Sequence, residues 1–231
     1  MTRLKHITFT GIDEKTDLNA LQEIQKAYPI AEFGVLVSSK WVEKGNRYMN
    51  PDTFSVLRGR GLNLSLHVCG RLAHDATNGM WNRVNHAIGS NLDLFKRVQL
   101  NISTRKDNPY RLASTPNIHT EVILQQRDVN NLSFYENSSW MNVSVLLDAS
   151  GGRGVDTPLN VLPIEGKVGY AGGFNPANVG EKLTFLLEHH TTGDFWIDME
   201  SGVRTDDWFD LDKVVKVLEI CNQIVPIKKT N

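Results

Sequence analysis

Eight short runs rich in β-branched and other apolar residues recur along the chain, their starts about 27 residues apart. They fall at residues 7–12, 33–37, 64–68, 97–102, 121–125, 143–148, 167–171 and 195–198. Most are continuous apolar stretches rather than strict alternations, which suits strands covered on both faces in a parallel sheet. The segments between them carry helix signals. Thr16 or Asp17 can cap a helix through Leu18, Leu21 and Ile24. Asn50-Pro51 and Asn175-Pro176 each set a good N-cap residue before a proline at the first helical position, and the second pair opens a run to His189-His190. A last helix is expected from about Thr205, with Asp206 and Asp207 in its first turn and Leu211, Val214, Val215 and Leu218 buried. Segments 70–95 and 128–141 read as irregular. Eight strands, each followed by a crossover, predict an α/β fold of the (β/α)8 TIM-barrel type, one domain over residues 1–231. An open doubly wound sheet is the competing architecture. It usually has fewer strands and a glycine-rich turn after the first, whereas the glycine-rich turns here come late.

Composition narrows the partners. A length of 231 residues allows one large domain or two small ones, and 40% hydrophobic residues is ordinary for a globular protein. A net charge of −1 leaves no basic excess to neutralise a phosphate backbone, so nucleic acid is not an expected partner. The longest apolar runs are about five residues, far short of a spanning helix, and no membrane partner is expected. The start, Met1-Thr-Arg-Leu-Lys-His6, lacks the apolar core of a secretory signal, and two cysteines are not a disulfide framework. A reduced, cytoplasmic setting is the expectation. No His, Cys or Asp spacing matches a structural zinc site, and neither a metal nor another cofactor is expected. A homodimer is compatible with the sequence.

In such a barrel, chemistry sits at the carboxyl ends of the strands. The residues there are Thr10 and Asp13, then His67 and Cys69, Asn101, Gln125 and Arg127, Asp148, Gly172-Gly173, and finally Asp198 to Arg204. Three of these ends are glycine-rich: Asp148-Ala-Ser-Gly-Gly-Arg-Gly154, Ala171-Gly-Gly-Phe-Asn-Pro176 and Glu200-Ser-Gly-Val203. Glycine lets backbone N–H groups approach an anion, and Asn175-Pro176 and Ser201-Gly202 place helix amino ends beside it. Barrels commonly bind phosphate between the loops after strands seven and eight. Gly172, Gly173, Ser201 and Gly202 therefore form a candidate phosphate cradle, with tight turns as the bland alternative.

These motifs bring a family with them. Leu146-Leu-Asp-Ala-Ser-Gly-Gly-Arg-Gly154, Tyr170-Ala-Gly-Gly-Phe-Asn-Pro-Ala-Asn-Val179 and Ile197-Asp-Met-Glu-Ser-Gly-Val203 resemble the sixth-, seventh- and eighth-strand segments of phosphoribosylanthranilate isomerases. Asn46-Arg-Tyr-Met-Asn-Pro51 and Val98-Gln-Leu100 are similar to that family's second-strand loop and fourth strand. The resemblance implies an intramolecular oxidoreductase of the aldose–ketose type acting on a small phosphorylated sugar. It makes Asp148 the general acid and Arg47 the ligand of an aglycone carboxylate, with Asp198 and Gly152 at the substrate. In that family the acid protonates the furanose ring oxygen, the ring opens to an iminium, and a base removes the C2′ proton. The base is a Cys followed by Gly at the end of strand one, and here that position reads Thr10-Gly11. A Thr hydroxyl is far too weak an acid to act unaided as a base near neutrality. Cys69, with His67 two residues before it on the same side of the strand, is one replacement, since a neighbouring His can lower a thiol's pKa. Asp13 is another. The competing class is a non-catalytic binder or sequestering protein for a phosphosugar or nucleotide that kept the cradle and lost the base.

Overall fold

A computed structural model of the chain describes residues 3–40, 47–102, 112, 114–117, 119–126, 142–148, 150, 151, 153–161, 167–190 and 193–227. Eight strands, β1 (Arg3–Thr10), β2 (Ala31–Ser38), β3 (Leu64–Cys69), β4 (Arg97–Asn101), β5 (Glu121–Gln126), β6 (Val143–Asp148), β7 (Lys167–Ala171) and β8 (Asp194–Met199), pair in sequence order. β8 pairs back onto β1 and closes the barrel. Every barrel pair is parallel. The fold is the expected (β/α)8 barrel. β1 starts four residues before its apolar run because Arg3 and Leu4 find partners in Asp194 and Phe195 of β8.

Period-two alternation divides each strand between two environments. One set, including Phe9, Leu66, Val98, Leu124, Leu147 and Ile197, joins the main apolar cluster between strands and helices. The other set fills the barrel, and most of it is polar. At the amino end of the strands Arg97 pairs with Glu32 at 2.8 Å and with Glu121 at 3.5 Å, while Lys167 reaches Glu121 at 3.2 Å. Thr8 and Ser144 donate to the same two carboxylates. Burial works against ionised Glu121, but Arg97, Ser144 and Lys167 together hold its pKa low. Above this layer sits a small apolar one, Ile123, Leu146 and Trp196. The Trp196 ring occupies the space a side chain at Gly169 would need, and the Arg97 guanidinium lies 4.4 Å from its centre. Above that layer the inward positions form the mouth.

The helices follow their caps. α1 (Leu18–Ala27) is capped by Asp17, which accepts from Asn19 and Ala20 N–H. Asn50 caps a 3-10 segment, Pro51–Leu57. The irregular reading of 70–95 is corrected to two short helices, α2 (Arg71–Thr77) and α3 (Trp81–Ala87), neither with a side-chain cap that would have marked it. Residues 128–141 lie outside the described residues. Asn175-Pro176 makes a turn, and α4 (Val179–His189) starts three residues beyond the proline. The last helix, α5 (Leu211–Ile224), begins at an Asp210 cap rather than near Thr205. The intervening residues form a hairpin, β9 (Arg204–Thr205) with β10 (Trp208–Phe209), turned by Asp206 and Asp207 at φ of 49° and 60°. Among the described residues, no helix is long and apolar enough to cross a membrane.

Candidate active site

The strand carboxyl ends surround a pocket that is open to solvent. Ring order places its parts. Gly172, Gly173 and Phe174 follow β7, and Glu200, Ser201 and Gly202 follow β8. Across the ring stand His67 of β3 with Gln99 and Asn101 of β4. Asp148 of β6 occupies one flank, and Asp198 of β8 with Thr10 of β1 the other.

Asp148 is buried and firmly oriented. Its carboxylate accepts from Gln125 Nε2 at 2.6 Å, Ser150 Oγ at 2.6 Å and Ser150 N–H at 3.0 Å. Asp198 is equally buried and accepts from the Thr10 hydroxyl at 2.8 Å. Burial drives its pKa up to about 7; the Thr10 bond opposes the shift, while Glu200, Glu32 and Asp148 add to it. A carboxyl poised near neutrality can release or take a proton there. Thr10 thus acts as a hydrogen-bond donor to this carboxyl.

The expected replacement bases fare differently. His67 lines the pocket, but its Nε2 meets Ser65 Oγ at 3.1 Å and Thr10 Oγ1 at 3.4 Å. Burial, helped by Arg97, drives its pKa down to about 3, so the ring is neutral. The Cys69 thiol contacts the His67 carbonyl oxygen at 3.8 Å rather than the ring, accepts from Asn101 Nδ2 at 3.4 Å and hydrogen-bonds the Tyr48 hydroxyl. A neutral ring pointing elsewhere cannot lower that thiol's pKa, so the expected His67–Cys69 couple is corrected to two separate roles. Asp13 lies outside the pocket lining. Its Oδ2 takes Arg204 at 3.0 Å and the Phe209 N–H at 2.7 Å, and it folds the loop after β1 around Lys15 and Thr16. That is a structural carboxylate, a correction to its reading as a base.

Arg47 is on the rim. Its guanidinium meets Asp207 at 2.7 Å and Glu200 at 2.9 Å and comes within 3.5 Å of Ser201 Oγ. It therefore stands at the glycine end of the mouth, beside the loop after β8. Gly152 and Arg127 lie outside the described residues.

Glycine at 173 and 202 has a packing cause. A Cβ on Gly173, whose φ is +68°, would sit 2.5 Å from the Asp156 N–H nitrogen, and one on Gly202 would run into the Phe174 carbonyl. The loop after β6 is pinned over Gly172 by Lys182, which reaches Asp156 and the carbonyls of Thr157 and Gly172. With the chain so close, the backbone N–H groups of Gly173, Phe174 and Gly202 have no acceptor among the described residues. Donors left open at a pocket wall suit an anion. Sequence reasoning placed Glu200 at a strand end but gave it no role, and it missed the inward position of Gln99, which alternation from Asn101 would have found.

A sequence profile for N-(5'-phosphoribosyl)anthranilate (PRA) isomerase matches residues 90–220. No curated protein matches the chain by sequence. Among solved structures, the N-(5'-phosphoribosyl)anthranilate isomerase from Pyrococcus furiosus is similar, with a TM-score of 0.57 and 15% identity over 94% of this chain and 98% of that one. The phosphoribosyl anthranilate isomerase from Thermococcus kodakaraensis gives 0.56 and 14% over 94% and 99%. At such identities the likeness establishes the fold.

Proposed function

The chain belongs to the N-(5'-phosphoribosyl)anthranilate isomerase family, and we propose that it holds a phosphorylated ribose-type ligand across the barrel mouth and isomerises it by acid–base catalysis. The observation that carries this reading is the placement of two buried carboxyls, Asp148 and Asp198, on opposite flanks of a pocket whose third side is an open row of N–H donors. The phosphate lies against Gly172, Gly173, Ser201 and Gly202, with Arg47 beside Ser201 adding charge. Asp148 donates a proton to the ring oxygen, the C1′–O bond breaks, and Asp198 takes the proton from C2′. The resulting enol then becomes the ketose. Asp198 thereby does the work that the family gives to its strand-one Cys, and Thr10 holds it in place.

The test is loss of the C2′ proton of an N-(5′-phosphoribosyl) arylamine with deuterium entry at C1′ of the ketose in D2O, followed by NMR. Entry that is lost in Asp198→Asn, with ligand still bound, supports the assignment. Thr10 at the place of the family's base favours a second reading, a phosphosugar binder without turnover. Tight binding with neither deuterium entry nor ketose would establish it.

A further inference from the structure

Behind Asp198 a line of buried hydroxyl and imidazole groups runs from β8 to β3. Thr10 Oγ1 donates to Asp198 Oδ1 at 2.8 Å and lies 3.4 Å from His67 Nε2, which in turn meets Ser65 Oγ at 3.1 Å. Thr10, Ser65 and His67 are each no more than 2% exposed. Thr10 is on β1 and His67 on β3, with β2 between them. They meet because the β2 residue at that level is Gly34, paired with Thr10 on one side and Ser65 on the other. A Cβ on Gly34 would sit 2.7 Å from Thr10 Oγ1 and 2.9 Å from His67 Nε2. The line occupies the room that one missing side chain leaves.

Counting hydrogens shows what the line can do. A threonine hydroxyl has one hydrogen and two lone pairs. With Asp198 ionised, that hydrogen goes to the carboxylate, and the ring serves Thr10 as an Nε2–H donor. With Asp198 protonated, the new O–H donates to Thr10 Oγ1, Thr10 turns its own hydrogen to His67, and Nε2 accepts it as a bare lone pair. The ring then carries its hydrogen on Nδ1, taken from water in the open pocket as Nε2 gives up its own. One hydrogen enters the ring and one leaves, so it stays neutral in both states, as its burial demands. Ser65, whose hydroxyl rotates, fits either tautomer. The ionisable groups around the line are Glu32 on β2, Cys69 farther along β3, Arg97 on β4, Asp148 on β6 and Glu200 after β8.

We propose that His67 is a positioning residue for Asp198: acting through Thr10, it keeps the carboxyl's hydrogen-bond partner satisfied in both protonation states by exchanging one neutral tautomer for the other. The inference rests on the reading of Asp198 as the group that takes the C2′ proton.

The test is NMR of the isotope-labelled imidazole nitrogens of the unmodified protein, titrated across neutral pH, with the Asp198 carboxyl carbon followed in the same samples. The His67 signals are assigned by their loss in His67→Gln. The N–H signal is expected to pass from Nδ1 to Nε2 as Asp198 ionises near pH 7. Asp198→Asn and Thr10→Val are each expected to leave the tautomer fixed. In turnover of the N-(5′-phosphoribosyl) arylamine, His67→Leu is expected to lower kcat by about tenfold at unchanged KM, the rate equivalent of a buried hydroxyl left without its partner. His67→Gln, whose amide offers both a donor and an acceptor, is expected to keep most of the rate. A tautomer that stays fixed while Asp198 titrates overturns the inference and leaves the phosphosugar reading standing. An Asp198 that does not titrate near neutrality, together with retention of the C2′ proton, overturns both.

Discussion

Asp198 is the residue on which chemistry and stability pull in opposite directions. Its pKa is raised to about 7, above that of an unfolded carboxyl, so the native state favours the protonated form. The sign follows: its stabilising share is full at low pH and is lost as pH rises through about 7. Asp198→Asn is therefore expected to stabilise the protein at pH 8 by on the order of 2 kcal/mol, raising the melting temperature by several degrees, with little gain at pH 4. The same change should lower turnover by about 10²–10⁴-fold, as loss of a general base does. Activity should rise with pH through about 7 as Asp198 ionises. Thr10→Val removes the donor that lowers this pKa, so the rising limb of the pH–rate profile should move to higher pH while Asp148 is untouched. A limb that stays put in Thr10→Val would assign it to another group. For N-(5'-phosphoribosyl)anthranilate itself, turnover is expected to be about 10²-fold or more below that of family members carrying the strand-one Cys. A comparable rate in a parallel assay would contradict this.

Among the elements, strands were far more legible than helices. A strand buried on both faces announces itself by an unbroken apolar run, and all eight runs became barrel strands, all but β1 at nearly their own boundaries. Helix starts depended on reading caps. Asp17 and Asn50 acted as caps, but Asn175 folds its side chain onto Ala177 and makes a turn. Asp206 and Asp207 resemble a helix's acidic first turn, yet both take positive φ in a hairpin that carries Arg204 to Asp13. That long-range pairing has no local signature, which is why Asp13 read as a base. The ionic layer at the amino end of the strands was hidden for the same reason. Its members are single charges on separate strands. Arg97→Met should leave Glu32 and Glu121 buried without their cation and cost about 3–5 kcal/mol in a denaturant melt. Adding Glu32→Gln and Glu121→Gln should recover much of the loss. No recovery would mean that Arg97 acts by packing on Trp196.

For the whole molecule, closure couples distant parts of the chain. β1 has β8 as a neighbour, so neither strand is an edge and neither can open without breaking the ring. Native-state hydrogen exchange should show the amides of Ile7 and Ile197 opening with the same free energy as those of Val98 and Leu124. Earlier opening of β1 and β8 would mark them as a separate unit. The same closure explains how the site was partly readable. Strand ends gave Asp148, Asp198 and the glycines, whereas the partner of Asp148, Gln125, appears only once β5 pairs with β6, and the partner of Asp198, Thr10, only once the ring is closed.

Trp196 carries a further consequence. Its indole is 2% exposed, sandwiched between the Arg97 guanidinium and the mouth, two residues before Asp198 on the same strand. Indole emission shifts with the local electric field, so the ring is a built-in voltmeter for the pocket. With the other four tryptophans of the chain replaced by Phe, the emission maximum should titrate with a midpoint near pH 7 as Asp198 ionises. In Asp198→Asn it should stay flat across the same range. Ligand arrival would then be read as colour, with no label and no substrate turnover.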